Sequence, residues 1–156
     1  MDVRYINPFI NSLINTLKMM MDLDAVAATP FVKDNSKTSG DITGVIGFAE
    51  KKIMGSVALS FPEKAALMLF EGMTGEATDE INRDVEDCIG EVANIVAGGA
   101  KTEMAGQGLS FNISVPSVVV GQNHSIRHKA ETPVIVIPFS VKDETFVMEV
   151  TMKLTD

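Results

Sequence analysis

The stretch DCIGEVAN places a carboxylate, Glu91, and an amide, Asn94, about one turn of a helix apart. An amide is neither a base nor a nucleophile at neutral pH, but it can donate to one oxygen while it accepts from another. That geometry suits the holding of a water molecule in line with a phosphorus atom, as the glutamine of small GTPases does. The carboxylate can pair with a lysine of a partner, which would also have to supply metal and phosphate. Alone, E-x-x-N is short enough to arise by chance.

A long helix, predicted from about residue 79 to residue 104, carries this pair on the face turned away from the core. At about 100° per residue, apolar side chains fall on one stripe: Val85, Cys88, Ile89, Val92, Val96 and Ala100. The roughly opposite stripe contains Asp84, Asp87, Glu91 and Asn94, is continued by Gly98, and is bordered by Gly90, Ala97 and Lys101. The pair is therefore predicted to face outward.

Three glycines interrupt the same helix, and each glycine inside a helix costs about 1 kcal/mol relative to alanine. Two explanations remain open at this point. Close packing against the sheet suits Gly99, whereas close approach of a partner to the outer face suits Gly90 and Gly98. Like charges at Asp87 and Glu91, one turn apart, also fit a face kept for binding. We assign the partner-contact surface to Asp87, Gly90, Gly98 and Lys101.

Other reactive residue types offer competing candidates. His124 and His128 have the spacing of metal ligands on a helix, but QNHSIRHKAE follows a predicted strand and is typical of a polar loop. Cys88 lies on the core stripe, which predicts an inert, buried thiol. The serines have no accompanying histidine motif, so a serine hydrolase is not predicted: Ser56, Ser60, Ser110 and Ser114.

The composition of the 156-residue chain excludes further classes of protein function. With 21 acidic and 13 basic side chains the net charge is -8, which disfavours binding to nucleic acid or to an anionic membrane. One cysteine excludes a disulfide framework and a thiolate zinc site. No targeting or membrane-spanning segment is apparent, so we expect a cytoplasmic protein. We also expect a single domain over residues 1–156, without a cofactor or metal of its own.

The apolar pattern predicts the element order α-βββ-αα-βββ. The predicted helices cover residues 6–21, with Pro8 in the first turn, 62–73 and 79–104. The predicted strands cover residues 26–33, 42–49, 53–61, 111–120, 134–141 and 146–154, with a polar loop over 122–132. Hairpin links predict an α+β fold, in which a mostly antiparallel sheet of about six strands carries long helices.

These residues resemble the motif of the CheC/CheX/FliY group of bacterial chemotaxis phosphatases, and the chain resembles the CheX-type members. The motif is Asp or Ser, three residues, Glu, two residues, Asn and, about twenty-two residues later, Pro. Asp87, Glu91 and Asn94 match it, while Pro116 lies one residue short of the expected spacing. The stretches INPFINSLINTL and GEVANIVAGGAK also look like CheX. The resemblance extends from about Asn7 to Leu154.

The resemblance implies a large antiparallel sheet with long helices on it, and the removal of the phosphoryl group from the aspartate of a CheY-like response regulator. Asn94 would orient the attacking water, Glu91 would pair with the receiver's lysine, and Mg²⁺ would belong to the receiver. The single E-x-x-N is as in CheX-type members. The first helix cannot supply a second motif, because it has asparagines but no glutamate. Relatives of this type dimerise by joining sheets, so a homodimer is implied.

Two other functions remain open. The chain could be a non-catalytic module that docks a receiver or a flagellar-switch component, as members of the group without an intact motif would behave. The intact pair of Glu91 and Asn94 favours the enzyme over this module. A metal-dependent hydrolase that uses His124 and His128 is the third hypothesis.

Overall fold

The computed structural model describes residues 3–34, 39–128 and 132–154, and within them the chain forms three helices and eight strands. The helices are α1 (Val3–Met21), α2 (Glu63–Thr74) and α3 (Arg83–Ala105). The strands are β1 (Val26–Ala27), β2 (Phe31–Val32), β3 (Ser39–Glu50), β4 (Ile53–Phe61), β5 (Asn112–Ile113), β6 (Ser117–Ser125), β7 (Ile135–Val141) and β8 (Glu144–Leu154). Helices α2 and α3 lie between the two groups of strands, as predicted.

The described strands join one antiparallel sheet whose centre is formed by β7, β8, β4 and β3. At one edge β1 and β2 both pair with β7, and at the other edge β5 and β6 both pair with β3. The predicted α+β fold with a mostly antiparallel sheet is confirmed. The six predicted strands become eight because Pro30 and Pro116, which lack an N–H for the ladder, lie where the two edge strands divide.

Several predicted boundaries are wrong. Pro8 lies inside α1 and not in its first turn, since the helix already includes Val3. α3 begins at Arg83, later than predicted, because the side chain of Asn82 accepts a hydrogen bond from the Val85 N–H at 3.0 Å and caps the helix there. The loop predicted over 122–132 is strand as far as residue 125, and its residues 129–131 lie outside the described residues.

The hydrophobic core lies between one face of the sheet and the helices. The predicted core stripe of α3 is confirmed, since its apolar side chains are all buried. Large fully buried side chains come from both layers: Phe9, Leu13, Leu17, Ile42, Ile46, Leu59, Phe61, Leu69, Ile89 and Phe139. Among residues 3–34, 39–128 and 132–154 we find no helix with the length and apolar character needed to cross a membrane.

Residues 121–128 and 132–134, which we call the strap, begin in the last part of β6 and place polar side chains on the other face of the sheet. Glu149 of β8 is completely buried beneath it, and its carboxylate accepts hydrogen bonds from Lys33 Nζ at 2.9 Å and from His128 Nε2 at 3.0 Å. The other nitrogen of the His128 ring lies 3.0 Å from Ser56 Oγ. Lys33 also donates to the backbone oxygen of Ile126, at 2.8 Å. One buried carboxylate therefore ties the strap, β2 and the central strands together.

His124 makes a second attachment of the strap. Its Nε2 lies 2.6 Å from Thr43 Oγ1, which in turn lies 2.9 Å from Ser60 Oγ, and its Nδ1 lies 2.6 Å from the Gly121 oxygen. Both histidines are thus engaged within the chain. In the part of the chain that the structure describes, no three residues of the types His, Cys, Asp and Glu come together to hold a metal ion.

Asp41 joins three segments through its carboxylate. Its Oδ1 accepts from the Asn123 N–H and its Oδ2 from the Glu63 N–H, each at 2.8 Å, so that β3, the strap and the first turn of α2 are linked. These two hydrogen bonds, that of Asn123 first, hold the pKa of the Asp41 carboxyl below its usual value. Asn123 has a left-handed φ of 53°, and the bond from its N–H supports that backbone conformation.

We expect Asp41→Asn to lower the free energy of unfolding at neutral pH by about 1 kcal/mol, because the neutral amide keeps only one of the two acceptor oxygens. The folded pKa of Asp41 lies below the unfolded one. Its contribution is therefore complete above the unfolded pKa and is lost as the pH falls through the folded pKa. Urea unfolding at neutral pH and in acid measures this difference. Asp79→Asn, at an exposed position, is the control. A gap between Asp41→Asn and wild type that persists in acid would contradict the prediction.

Candidate functional site

Helix α3 presents Glu91 and Asn94 on its outer face. Glu91 and Asp87 are exposed, and Asn94 is half-buried. Within residues 3–34, 39–128 and 132–154, no hydrogen bond or ion pair engages the side chain of Glu91 or of Asn94. The outward orientation predicted from the sequence therefore agrees with the structure. The face offers one carboxylate and one amide that are free to bind a partner.

Contacts on both sides fix the position of α3. A Cβ at Gly44 of β3 would lie 3.0 Å from the Cβ of Ala93 and 3.2 Å from the backbone oxygen of Ile89, so the missing side chain lets the helix rest closely on the sheet. On the other side, Ser12 Oγ of α1 donates to the Val96 oxygen at 2.7 Å. The segment that carries Glu91 and Asn94 is thus held between β3 and α1.

The three glycines of α3 have different surroundings, and two of the predicted explanations are wrong. A Cβ at Gly99 would overlap Ser12 Oγ, so Gly99 packs against α1 and not against the sheet. Gly90 is buried, and a Cβ there would lie 3.3 Å from Val118 Cγ2, so the chain itself fills the space that was predicted to receive a partner. Beyond its chain neighbours and the nearby backbone of its own helix, a Cβ at Gly98 would meet no atom within 4 Å, so this position is open to a partner.

Pro116 borders the same face. A Cβ at Gly90 would lie 3.9 Å from Pro116 Cγ, which brings the proline next to the helical turn that begins the E-x-x-N stretch. The fold therefore brings together four of the residues singled out in sequence, since Asp87, Glu91, Asn94 and Pro116 lie on or beside one face. Lys101, also assigned to this surface, is half-buried two turns further along α3.

Negative charge adjoins this face at the start of α3. The acidic side chains from the last turns of α2, through the following loop, to the first turns of α3 are exposed except for Glu86, which is half-buried. The exposed ones are Glu71, Glu76, Asp79, Glu80, Asp84, Asp87 and Glu91. Asp84 and Glu86 lie in the first turn, where the helix dipole favours carboxylates. The interpretation of the run as a mostly solvated surface is confirmed. The charge also makes this end of the face attractive to a cation on a partner.

Two of the other candidate nucleophiles, Cys88 and Ser56, have structural roles in the folded chain. Burial raises the pKa of the Cys88 thiol to about 11, so the thiol stays protonated and inert, as predicted. The structure brings Ser56, His128 and Glu149 into one chain of hydrogen bonds, which the sequence did not reveal because the three residues are distant along it. His128 and Glu149 are 3% and 0% exposed, and Lys33 already occupies the carboxylate, so the group stabilises the fold and is inaccessible to a substrate.

Comparison with known proteins gives consistent matches. Residues 42–140 match the profile of a family described as "Chemotaxis phosphatase CheX". The CheY-P phosphatase CheX of Thermotoga maritima is 26% identical over 155 residues, 98% of either chain. The crystal structure of the chemotaxis protein CheX from Vibrio vulnificus is 37% identical, with a TM-score of 0.92, over 96% of this chain and 99% of that one. A chain of the CheX–CheY–BeF₃–Mg²⁺ complex of Borrelia burgdorferi shares the fold, with a TM-score of 0.78 and 22% identity. The match covers 96% of this chain and 97% of that one.

Proposed function

Because the chain belongs to the chemotaxis phosphatase CheX family, we propose that it hydrolyses the aspartyl phosphate of a CheY-like receiver domain. The observation that carries the proposal is the pair of Glu91 and Asn94, which lies unengaged on the outer face of α3. Glu91 pairs with the receiver's active-site lysine and sets the docking register. Asn94 then enters the receiver's site. The phosphate, the lysine and Mg²⁺ all belong to the receiver, so this chain contributes one carboxylate and one amide.

The amide acts by position. The Oδ1 atom of Asn94 accepts a hydrogen bond from the attacking water, and its Nδ2 can donate to a phosphoryl oxygen. The water oxygen forms the new bond to phosphorus while the bond between phosphorus and the aspartyl oxygen breaks. The products are inorganic phosphate and a free aspartate carboxylate. The side chain thus aligns the water with the phosphoryl group, while the metal and the lysine of the receiver neutralise the developing charge.

The surface around the pair supports docking of another domain. Asp87, Gly98 and Lys101 share the face of α3 with Glu91 and Asn94, and Gly98 leaves it open. Gly90 contributes indirectly, because the space above it admits Pro116 and Val118 to the border of the face. That position of Pro116 supports its equivalence to the proline of the family motif. Receivers are phosphorylated in the cytoplasm, so we propose that compartment for the protein.

Phosphate release from a purified, phosphorylated receiver of the same cell, measured with and without this protein, tests the proposal. Acceleration of the release supports it. If no such receiver loses phosphate faster, the chain is a receiver-binding module without chemistry. The unengaged pair on α3 favours the enzyme, because a module needs a docking surface but no free amide at its centre.

We expect Gly98→Ala to stabilise the fold by up to about 1 kcal/mol, because alanine is the better helix former. The added methyl group would meet no atom within 4 Å other than those of its chain neighbours and the nearby backbone of its own helix. The same methyl group would stand between α3 and a docked receiver, so kcat/KM should fall severalfold. Urea unfolding and the phosphate-release assay measure the two effects. Gly121→Ala, also open but outside α3, is the control. Unchanged kcat/KM in Gly98→Ala would mean that the receiver does not reach this turn of the helix.

We propose a homodimer that forms by extension of the sheet at β6. This strand has 9 residues, pairs only with β3 among the described residues, and exposes Val119 and Val120 to 40% and 47%. The opposite edge is less suited, because β1 and β2 have 2 residues each and Pro30 separates them. The mass of the protein in sedimentation equilibrium tests this assignment.

A further inference from the structure

A groove of about 630 Å³ separates α1 from α3 on the outer side of the helices. Its apolar lining comes from both helices: Ile14, Met19 and Met20 on α1, and Ile95 on α3. Met19 is 84% exposed and Met20 is 44% exposed, although both are large apolar side chains. Neighbouring exposed apolar side chains beside a groove are typical of a surface that another molecule covers.

The polar groups at the base of the groove are already engaged. Asn11 Nδ2 donates to Glu103 Oε1 at 3.1 Å, and Ser12 Oγ donates to the Val96 oxygen at 2.7 Å. Thr16 Oγ1 donates to the Ser12 oxygen, also at 2.7 Å. A small polar ligand would therefore find few free partners there. The groove instead offers apolar contact area with adaptable methionine side chains, which suits side chains of another protein.

The groove is continuous with the face that carries Glu91 and Asn94. Ile95 directly follows Asn94, and Glu91 precedes Ile95 by four residues, so the side chains of Glu91 and Ile95 lie one above the other along α3. A domain that brings a phosphoryl group to Asn94 and a lysine to Glu91 must cover this part of α3. Ile95 and the methionines of α1 line the same groove, so the groove begins beside the residues that such a domain must cover.

We propose, on the premise of the phosphatase function above, that this groove is the docking site for an apolar part of the phosphorylated receiver and that Met19 contributes to the affinity for it. The pair of Glu91 and Asn94 and the groove then have separate roles. Asn94 acts on the bound phosphoryl group and determines kcat, whereas Met19 and Met20 bind the body of the receiver and determine KM. Receivers that differ in the surface facing the groove are then distinguished by KM.

Met19→Lys tests this proposal, because it places a charge at the mouth of the groove without disturbing the core. We expect KM for the phosphorylated receiver to rise about tenfold, while kcat at saturating receiver stays within about twofold of wild type. Met54→Lys is the matched control. Met54 is 62% exposed and its neighbour Ile53 is buried, so Met54 lies on the sheet face opposite the helices and should leave both constants unchanged.

The outcomes separate the two proposals. An unchanged KM in Met19→Lys, with Asn94→Ala inactive, overturns the groove as a docking site and leaves the phosphatase intact. Equal rises of KM in Met19→Lys and Met54→Lys also overturn it, since they indicate a general effect of added charge. If Asn94→Ala is as active as wild type, the catalytic assignment fails. A rise of KM in Met19→Lys alone then still places the receiver over the groove.

Discussion

Asn94→Ala is expected to lower kcat for phosphate release from the receiver by about 100-fold or more, the loss typical of removing a group that aligns a reactant in the transition state. The stability of the fold should not decrease. Asn94 is half-buried, its side chain makes no hydrogen bond within the described residues, and it lies inside a helix that alanine favours. Binding of the receiver should also persist, because Glu91 and the surrounding face remain. The loss therefore falls on kcat and leaves KM nearly unchanged.

Asn7→Ala is the matched control for this experiment. Asn7 is an exposed asparagine on α1, so its replacement changes the same chemical group away from the outer face of α3. Single-turnover decay of the phosphorylated receiver, followed with each variant in excess, measures the chemical step directly. The same decay rate with Asn94→Ala and with wild type would remove Asn94 from the mechanism.

Lys33→Met should destabilise the protein by about 3–5 kcal/mol, because it leaves the carboxylate of Glu149 buried with less compensating charge. The methionine retains most of the volume of the lysine stem, so the effect reports the lost ammonium group and not a cavity. His128 stays within 3.0 Å of the same carboxylate but cannot replace the bonds of Lys33 to both Glu149 and the Ile126 oxygen. Urea unfolding followed by circular dichroism measures the difference.

Two further variants test whether burial of Glu149 is the reason for the destabilisation expected of Lys33→Met. Lys18→Met removes a lysine from an exposed ion pair with Asp22 and Asp24 and should leave stability unchanged within error. The double variant Lys33→Met with Glu149→Leu removes the buried charge altogether and should regain part of the lost stability. A cost for Lys33→Met no greater than that for Lys18→Met would show that water reaches Glu149.

Local signals in the sequence predict most of the fold. Hairpins such as that between Glu50 and Ile53 join strands that are neighbours along the chain, and the apolar period of α3 identifies its core side without knowledge of the partner. Errors arise where one residue overrides the pattern. Asn82 starts α3 later than the apolar period suggests, and Pro116 splits an otherwise continuous apolar run.

The pairing of Glu91 with Asn94 could also be predicted from the sequence, because the two residues lie about one helical turn apart. Their proximity does not depend on how the helix packs in the fold. The surroundings of the glycines were not, since they depend on which element packs on each side. Gly99 meets Ser12 of α1, and Gly90 meets Val118 of β6. The bond between Lys33 and Glu149 spans 116 residues, and alternation along β8 gives Glu149 the sheet face that is usually solvated. Only the folded strap explains its burial.

The position of β8 in the sheet has a consequence for biosynthesis. This strand lies between β7 and β4, although it follows all the other described strands in sequence. While the ribosome is still making it, β3 and β4 can form their hairpin and α3 can begin to pack on them. Among the described strands, the edge formed by β1, β2 and β7 pairs with neither β3 nor β4. The nascent chain thus exposes an open sheet edge until residues 144–154 emerge. We therefore expect cooperative folding to await the emergence of residues 144–154 from the exit tunnel.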